Sequence, residues 1–128
     1  MPAIKAALFD LDGVIIDTES QYSQFWGSIG RTYLPEIPDF AERIKGTTLD
    51  SIYKNWFAHL KSEQSEINRA LNEYEQQMQY TYIQGVLPFI KALREDGVKT
   101  AIVTASNDAK MRRVLSIHPE LHELFDRI

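Results

Sequence analysis

Two aspartates stand one residue apart in Phe9-Asp10-Leu11-Asp12-Gly13, directly after a short apolar run. Together they attract a hard cation that prefers oxygen ligands, for which Mg²⁺ is the natural choice. Gly13 permits the backbone to curl immediately after the pair. These residues alone leave a second reading open, a surface turn carrying two solvated acids. The histidines offer less. His118 and His122 have i, i+4 spacing, but Pro119 lies between them and no third ligand is near, so they read as surface or packing residues, and His59 as a helix residue.

The elements around the pair decide whether it can form a site. Ile4 to Phe9 is apolar apart from Lys5 and is bounded by turn residues, the pattern of a buried strand in a parallel sheet. Ligands in open α/β sheets bind beyond the carboxyl ends of strands, which is where Asp10 and Asp12 fall. Thr18 opens a helix, with Gln21 placed for a capping box. Tyr22, Phe25, Trp26 and Ile29 form its apolar stripe, and Gly30 is its expected stop. Residues 34–40 hold two prolines and read as a connector, and Lys45-Gly46-Thr47-Thr48 as a loop. A helix is expected over Leu49 to Leu60, with Ile52, Tyr53, Trp56 and Phe57 on one face. Ser62 or Ser65 then caps a long helix striped by Ile67, Ala70, Leu71, Tyr74, Met78 and Tyr82, ending at Gln84-Gly85. Pro88 sits in the first turn of the next helix, which Gly97 terminates. Val98 to Thr104 reads as a second buried strand. Ser106 or Asn107 caps a following helix with Met111, Val114 and Leu115 inward. A strand, a helical insertion, a helix and a second strand imply a parallel sheet with a right-handed crossover.

Bulk properties narrow the function classes. The chain has 128 residues, 44% hydrophobic and 25% charged, a one-domain length with ordinary composition. Its net charge of −4 disfavours nonspecific nucleic-acid binding, which needs a basic patch. With no cysteine, a disulfide framework and a Cys-based zinc site are excluded. No apolar stretch has the length of a signal-peptide core or a membrane span, so the expectation is a cytoplasmic protein without membrane partners.

The string Phe9-Asp10-Leu11-Asp12-Gly13-Val14-Ile15-Ile16-Asp17-Thr18 resembles the first motif of the haloacid dehalogenase (HAD) superfamily of phosphatases and phosphomutases. Ala101-Ile102-Val103-Thr104-Ala105-Ser106-Asn107 is similar to its second motif, a Thr or Ser at the end of the next core strand. The insertion between them resembles the superfamily's helical cap, and Gly85-Val86-Leu87-Pro88-Phe89 the return to the core. The resemblance implies an α/β protein with a parallel-sheet, Rossmann-like core, here partial, and an inserted α-helical cap. Residues 1–16 would be the first strand and catalytic loop, 17–85 the cap, and 86–128 the second strand with its flanking helices. It implies Asp10 as nucleophile forming an aspartyl-phosphate and Asp12 as proton donor and acceptor. It further implies a phosphate held by the Thr104 hydroxyl and the Ala105 amide, and Mg²⁺ on the Asp10 carboxylate and the Asp12 backbone carbonyl. Asp17 and Thr18 would lie at the hinge between core and cap, although helix capping also accounts for them.

The sequence departs from the family pattern in what it lacks. The family has a later Lys that neutralises the phosphate and an acidic pair that completes the metal shell, and neither is present before Ile128. Lys110 lies too early, and on the wrong element, to replace the Lys. The expectation is therefore an N-terminal portion of a longer enzyme, itself weakly active or inactive. The incomplete sheet would then favour self-association. The enzyme would be a phosphatase of a small phosphorylated metabolite. The alternatives are a sugar phosphomutase and a fragment acting only in binding. Mutases of this type resemble Lys45-Gly46-Thr47-Thr48, but they carry a basic residue where Leu49 follows and a His where Tyr22 stands.

Overall fold

The computed structural model describes residues 4–128; Met1, Pro2 and Ala3 of the expected 1–16 segment lie outside them. The chain forms an α/β structure of β1 (Ala6–Phe9), α1 (Glu19–Tyr33), α2 (Phe40–Arg43), α3 (Leu49–Trp56), α4 (Lys61–Gln77), α5 (Val86–Glu95), β2 (Lys99–Ile102), α6 (Asp108–Ile117) and α7 (Leu121–Leu124). It divides into two compact units, one comprising the residues up to Glu19 with Gln79–Ile128, the other Ser20–Met78.

The first unit is built on a parallel pair. β1 runs beside β2 with Ala6 opposite Lys99 and Phe9 opposite Ile102. The crossover helix α5 starts after Gly85, whose φ of 85° is open to glycine at little cost, and Pro88 sits in its first turn. Gly97 ends it with φ 79°, and Val98 donates back to the Leu93 carbonyl at 3.0 Å, as expected of a glycine stop. Phe9 packs edge-on against Phe89 and Phe125. The buried strand expected over Ile4 to Phe9 is found only in part, as Ala6–Phe9 with most of its residues outside the core. Phe9 is buried, but Leu8 is 72% exposed and Ile4, outside the strand, 74%. Among the described residues the sheet has two strands, so no strand pairs with the outer edge of β1. On the β2 side, Arg127 begins a further parallel contact with Ala101, and Ile102 donates to its carbonyl at 3.0 Å.

The second unit is all helical. Its core joins Phe25, Trp26 and Ile29 of α1 to Phe40, Ile52, Phe57, Ile67 and Leu71. Phe40 meets Trp26, Trp56 and Phe57 edge-on, a geometry favoured between aromatic rings. Thr48 caps α3 by accepting the Ser51 N–H at 3.2 Å. Four expectations fail here. The helix expected over Leu49 to Leu60 ends at Trp56, with Phe57 at its C-cap. Gly30 does not stop α1, which continues to Tyr33; it is buried where a larger residue would strike Phe40. Neither Ser62 nor Ser65 caps α4, whose cap position is Leu60. The long helix ends at Gln77 rather than at Gln84-Gly85, because Met78 turns extended. The residues beyond it, in the first unit, run antiparallel to the segment after the aspartates. Asp17 N–H donates to the Thr81 carbonyl and Ile83 N–H to that of Ile15, both at 2.8 Å.

Candidate active site at the strand ends

The register of the sheet sets the site. Because Phe9 faces Ile102, both strands finish together, and Val103 N–H donates to the Phe9 carbonyl at 2.8 Å. Asp10 and Thr104 therefore leave the sheet at the same rim. After Phe9 the chain curls: Ile15 and Ile16 both donate to the Leu11 carbonyl at 3.0 Å, and Gly13, with φ 77°, donates to that of Ile16. Leu11, Ile15 and Ile16 are fully buried. These apolar side chains anchor the turn while Asp10 stays exposed and Asp12 half-buried.

Asp10 accepts the Leu11 N–H at 2.8 Å through Oδ1. The Asp12 carboxylate collects donors from three parts of the chain. Oδ1 accepts the Thr18 hydroxyl at 2.7 Å, and Oδ2 accepts the Lys110 ammonium at 2.6 Å and the Ser106 hydroxyl at 3.5 Å. The Thr104 hydroxyl donates to Ser106 Oγ at 2.8 Å and accepts the Ser106 N–H at 3.1 Å. A relay of hydroxyls thus joins Thr104 to Asp12. Ala105 lies exposed in the turn between Thr104 and Ser106.

Of the residues expected at the site, Asp12 and Thr104 are linked through Ser106, and Asp10 and Ala105 adjoin them along the chain. Three further residues belong to the cluster. Ser106 was expected only as a helix cap; Asn107 takes that role, accepting the Lys110 N–H at 2.9 Å. Thr18, fully buried, directs its hydroxyl proton to Asp12. Lys110, set aside on the sequence, is 2% exposed and reaches Asp12. A signal for it was available: Val114, expected inward, is one helical turn on, so Lys110 shares its buried face.

Among the described residues, no three His, Cys, Asp or Glu side chains converge as a metal-binding group. The donors that are present suit Mg²⁺ in kind. Asp10 supplies an exposed carboxylate, and Mg²⁺ is commonly held by one or two carboxylates with water and phosphate oxygens completing its shell.

Residues 7–128 match the family described as haloacid dehalogenase-like hydrolase. The chain is 29% identical to the β-phosphoglucomutase of Bacillus subtilis, covering 96% of this chain and 61% of that protein. It is 30% identical to a Saccharomyces cerevisiae protein described as a pseudouridine-5′-phosphatase, covering 98% of this chain and 56% of that protein. The crystal structure of a HAD hydrolase from Entamoeba histolytica superposes with a TM-score of 0.71 at 18% identity, over 96% of this chain and 58% of that one. The chain thus spans about three-fifths of the length of these relatives. With the motif loop, the parallel pair and the family match in agreement, the chain belongs to the haloacid dehalogenase-like hydrolases.

Proposed function

We propose that this chain carries the nucleophile half of a Mg²⁺-dependent phosphatase acting on a small phosphorylated metabolite. The observation that carries the reading is the Asp10/Asp12 pair at the end of β1, with Thr104 leaving β2 at the same rim. In the first step an Asp10 carboxylate oxygen bonds to phosphorus as the phosphorus–oxygen bond to the leaving group breaks. Asp12, entering the step protonated, gives that leaving oxygen its proton. In the second step a water oxygen attacks the phosphorus of the aspartyl-phosphate, Asp12 takes the water's proton, and Asp10 is released with inorganic phosphate. The Thr104 hydroxyl and Ala105 amide hold the phosphoryl oxygens. Asp10 and the Asp12 carbonyl would hold Mg²⁺, which when bound offsets the negative charge between the attacking carboxylate and the phosphate. We read residues 17–85 as the helical cap of this enzyme, from their place in sequence between the two strands, and the whole as a cytoplasmic protein.

A mutase reading draws support from the phosphoglucomutase relative. Against it stand Leu49 and Tyr22, neither of which supplies the basic group or the His of such enzymes. Tyr22 instead donates its hydroxyl to Glu75 at 2.6 Å. The deciding experiment assays the whole protein and the 128-residue chain for phosphate release from a panel of phosphomonoesters, and for interconversion of sugar-phosphate isomers. Mg²⁺-dependent phosphate release by the whole protein, abolished by Asp10→Asn and by chelator, is expected. Release that persists in Asp10→Asn refutes the mechanism, and isomer conversion without release makes the protein a mutase. Inertness of both forms would leave binding as the function.

A further inference from the structure

The Lys110 side chain is 3% exposed, and its ammonium lies 2.6 Å from Asp12 Oδ2. An ammonium taken out of water is costly unless a carboxylate meets it. The geometry is fixed from both ends. Asn107 caps α6 on the Lys110 N–H, and Val114, one turn on, is fully buried, so the helix cannot roll the side chain outward without opening the core. On the other side, fully buried Thr18 holds the second oxygen of Asp12. By contrast, the Lys45–Glu42 pair at 3.1 Å is formed by side chains 41% and 68% exposed, and surface pairs of that kind contribute little.

A rim of two carboxylates would present two negative charges to a cation. Lys110 offsets one of them from inside. We propose that Lys110 is a positioning residue of this site, a built-in monovalent cation that pins the Asp12 carboxylate and sets how tightly the rim holds a divalent cation. The inference rests on the phosphoryl-transfer reading above and extends it to a residue outside the family motifs. Its consequence is a weakened metal site. The ammonium would disfavour a divalent cation at this rim, which would then be held firmly only together with a phosphate dianion.

Two measurements on the 128-residue chain test this without an activity assay. The first is calorimetric titration of MgCl₂ into metal-free protein. Lys110→Met should bind Mg²⁺ roughly three- to tenfold more tightly than wild type, from the removal of one positive charge beside Asp12. Lys110→Arg, which keeps the charge, should stay near wild type. The second is a melting cycle in chelator with Asp12→Asn, Lys110→Met and the double variant. Asp12→Asn strips the buried ammonium of this carboxylate, so adding Lys110→Met to it should recover part of the lost stability. Binding measurable in Lys110→Met but not in wild type supports the proposal. Equal affinity in wild type and Lys110→Met, no binding in either, or strictly additive melting shifts would overturn it. Asp10→Asn separates the two ideas. Wild-type Mg²⁺ affinity in that variant refutes the metal reading and the metal half of this proposal, whereas unchanged affinity in Lys110→Met alone refutes only the role of Lys110.

Discussion

A methyl group added at Gly30 would sit 3.0 Å from Phe40 Cδ2 and 3.1 Å from its Cβ, closer than packed carbons tolerate. Alanine is the better helix former by about 1 kcal/mol, but overpacking costs roughly 1–3 kcal/mol, and Phe40, 1% exposed, has little room to retreat. Gly30→Ala is therefore expected to destabilise the chain by about 1 kcal/mol, read from denaturant melting; a gain in stability would show that Phe40 yields. Asp126 makes a second residue-scale prediction. It accepts the Thr100 N–H at 2.8 Å and the Arg94 guanidinium at 3.1 Å, and these hold its carboxyl below the usual range, the Thr100 amide foremost. A depressed folded-state pKa means stability that is present above the unfolded pKa and lost as pH falls through the folded one. Asp126→Asn should lower stability at neutral pH and flatten its decline below about pH 4. An unchanged acid limb would rule the contact out as a source of stability. At this scale the motif residues were legible because their types and order are fixed by chemistry. Lys110 and Ser106 were not, since their contacts with Asp12 span 98 and 94 positions and only the folded register supplies them.

The elements were legible where one local signal dominated. Gly97 ended α5 because the missing Cβ allows its φ of 79°, and Asn107 capped α6 through its side-chain oxygen. The end of α4 was missed because Met78 and Tyr82 continue a four-residue spacing that mimics a helical stripe. Tyr80-Thr81-Tyr82-Ile83, aromatic and β-branched throughout, carried the opposing preference for extended chain, and pairing with residues 15–17 settles the contest. The exposure of β1 goes with a sheet of two strands, and it has a consequence of its own. A strand with an open edge and an outward Leu8 offers backbone groups and apolar surface to another chain. Sedimentation should show concentration-dependent association of the 128-residue chain, reduced in Leu8→Lys. A wild-type chain that stays monomeric at the highest concentrations would contradict this.

For the molecule as a whole, the two units differ in how they are held. The helical unit buries a contiguous aromatic core, whereas the sheet is two strands of four residues each, one of them largely exposed. Amides of β1 and β2 should exchange hydrogen faster than those in the middle of α1 and α4; equal protection would mean a single cooperative structure. The antiparallel contact between residues 15–17 and 81–83 carries this further. It brings together the two points where the chain leaves the first unit and comes back, so everything between them is a closed loop whose ends are already tied. Closing a long loop costs only slightly more than closing a short one, which makes the length of the tethered piece almost irrelevant to the platform that tethers it. Residues 20–78 are therefore expected to be replaceable without loss of the first unit. Replacing them with a short Gly-Ser bridge should leave the contacts of Asp12 with Thr18 and Lys110 intact. The excised segment, made as a separate peptide, should fold into helices unaided, which circular dichroism checks, while the melting cycle of Asp12→Asn and Lys110→Met repeated on the bridged chain checks the contacts. An unfolded peptide would mean that the aromatic core needs its tether.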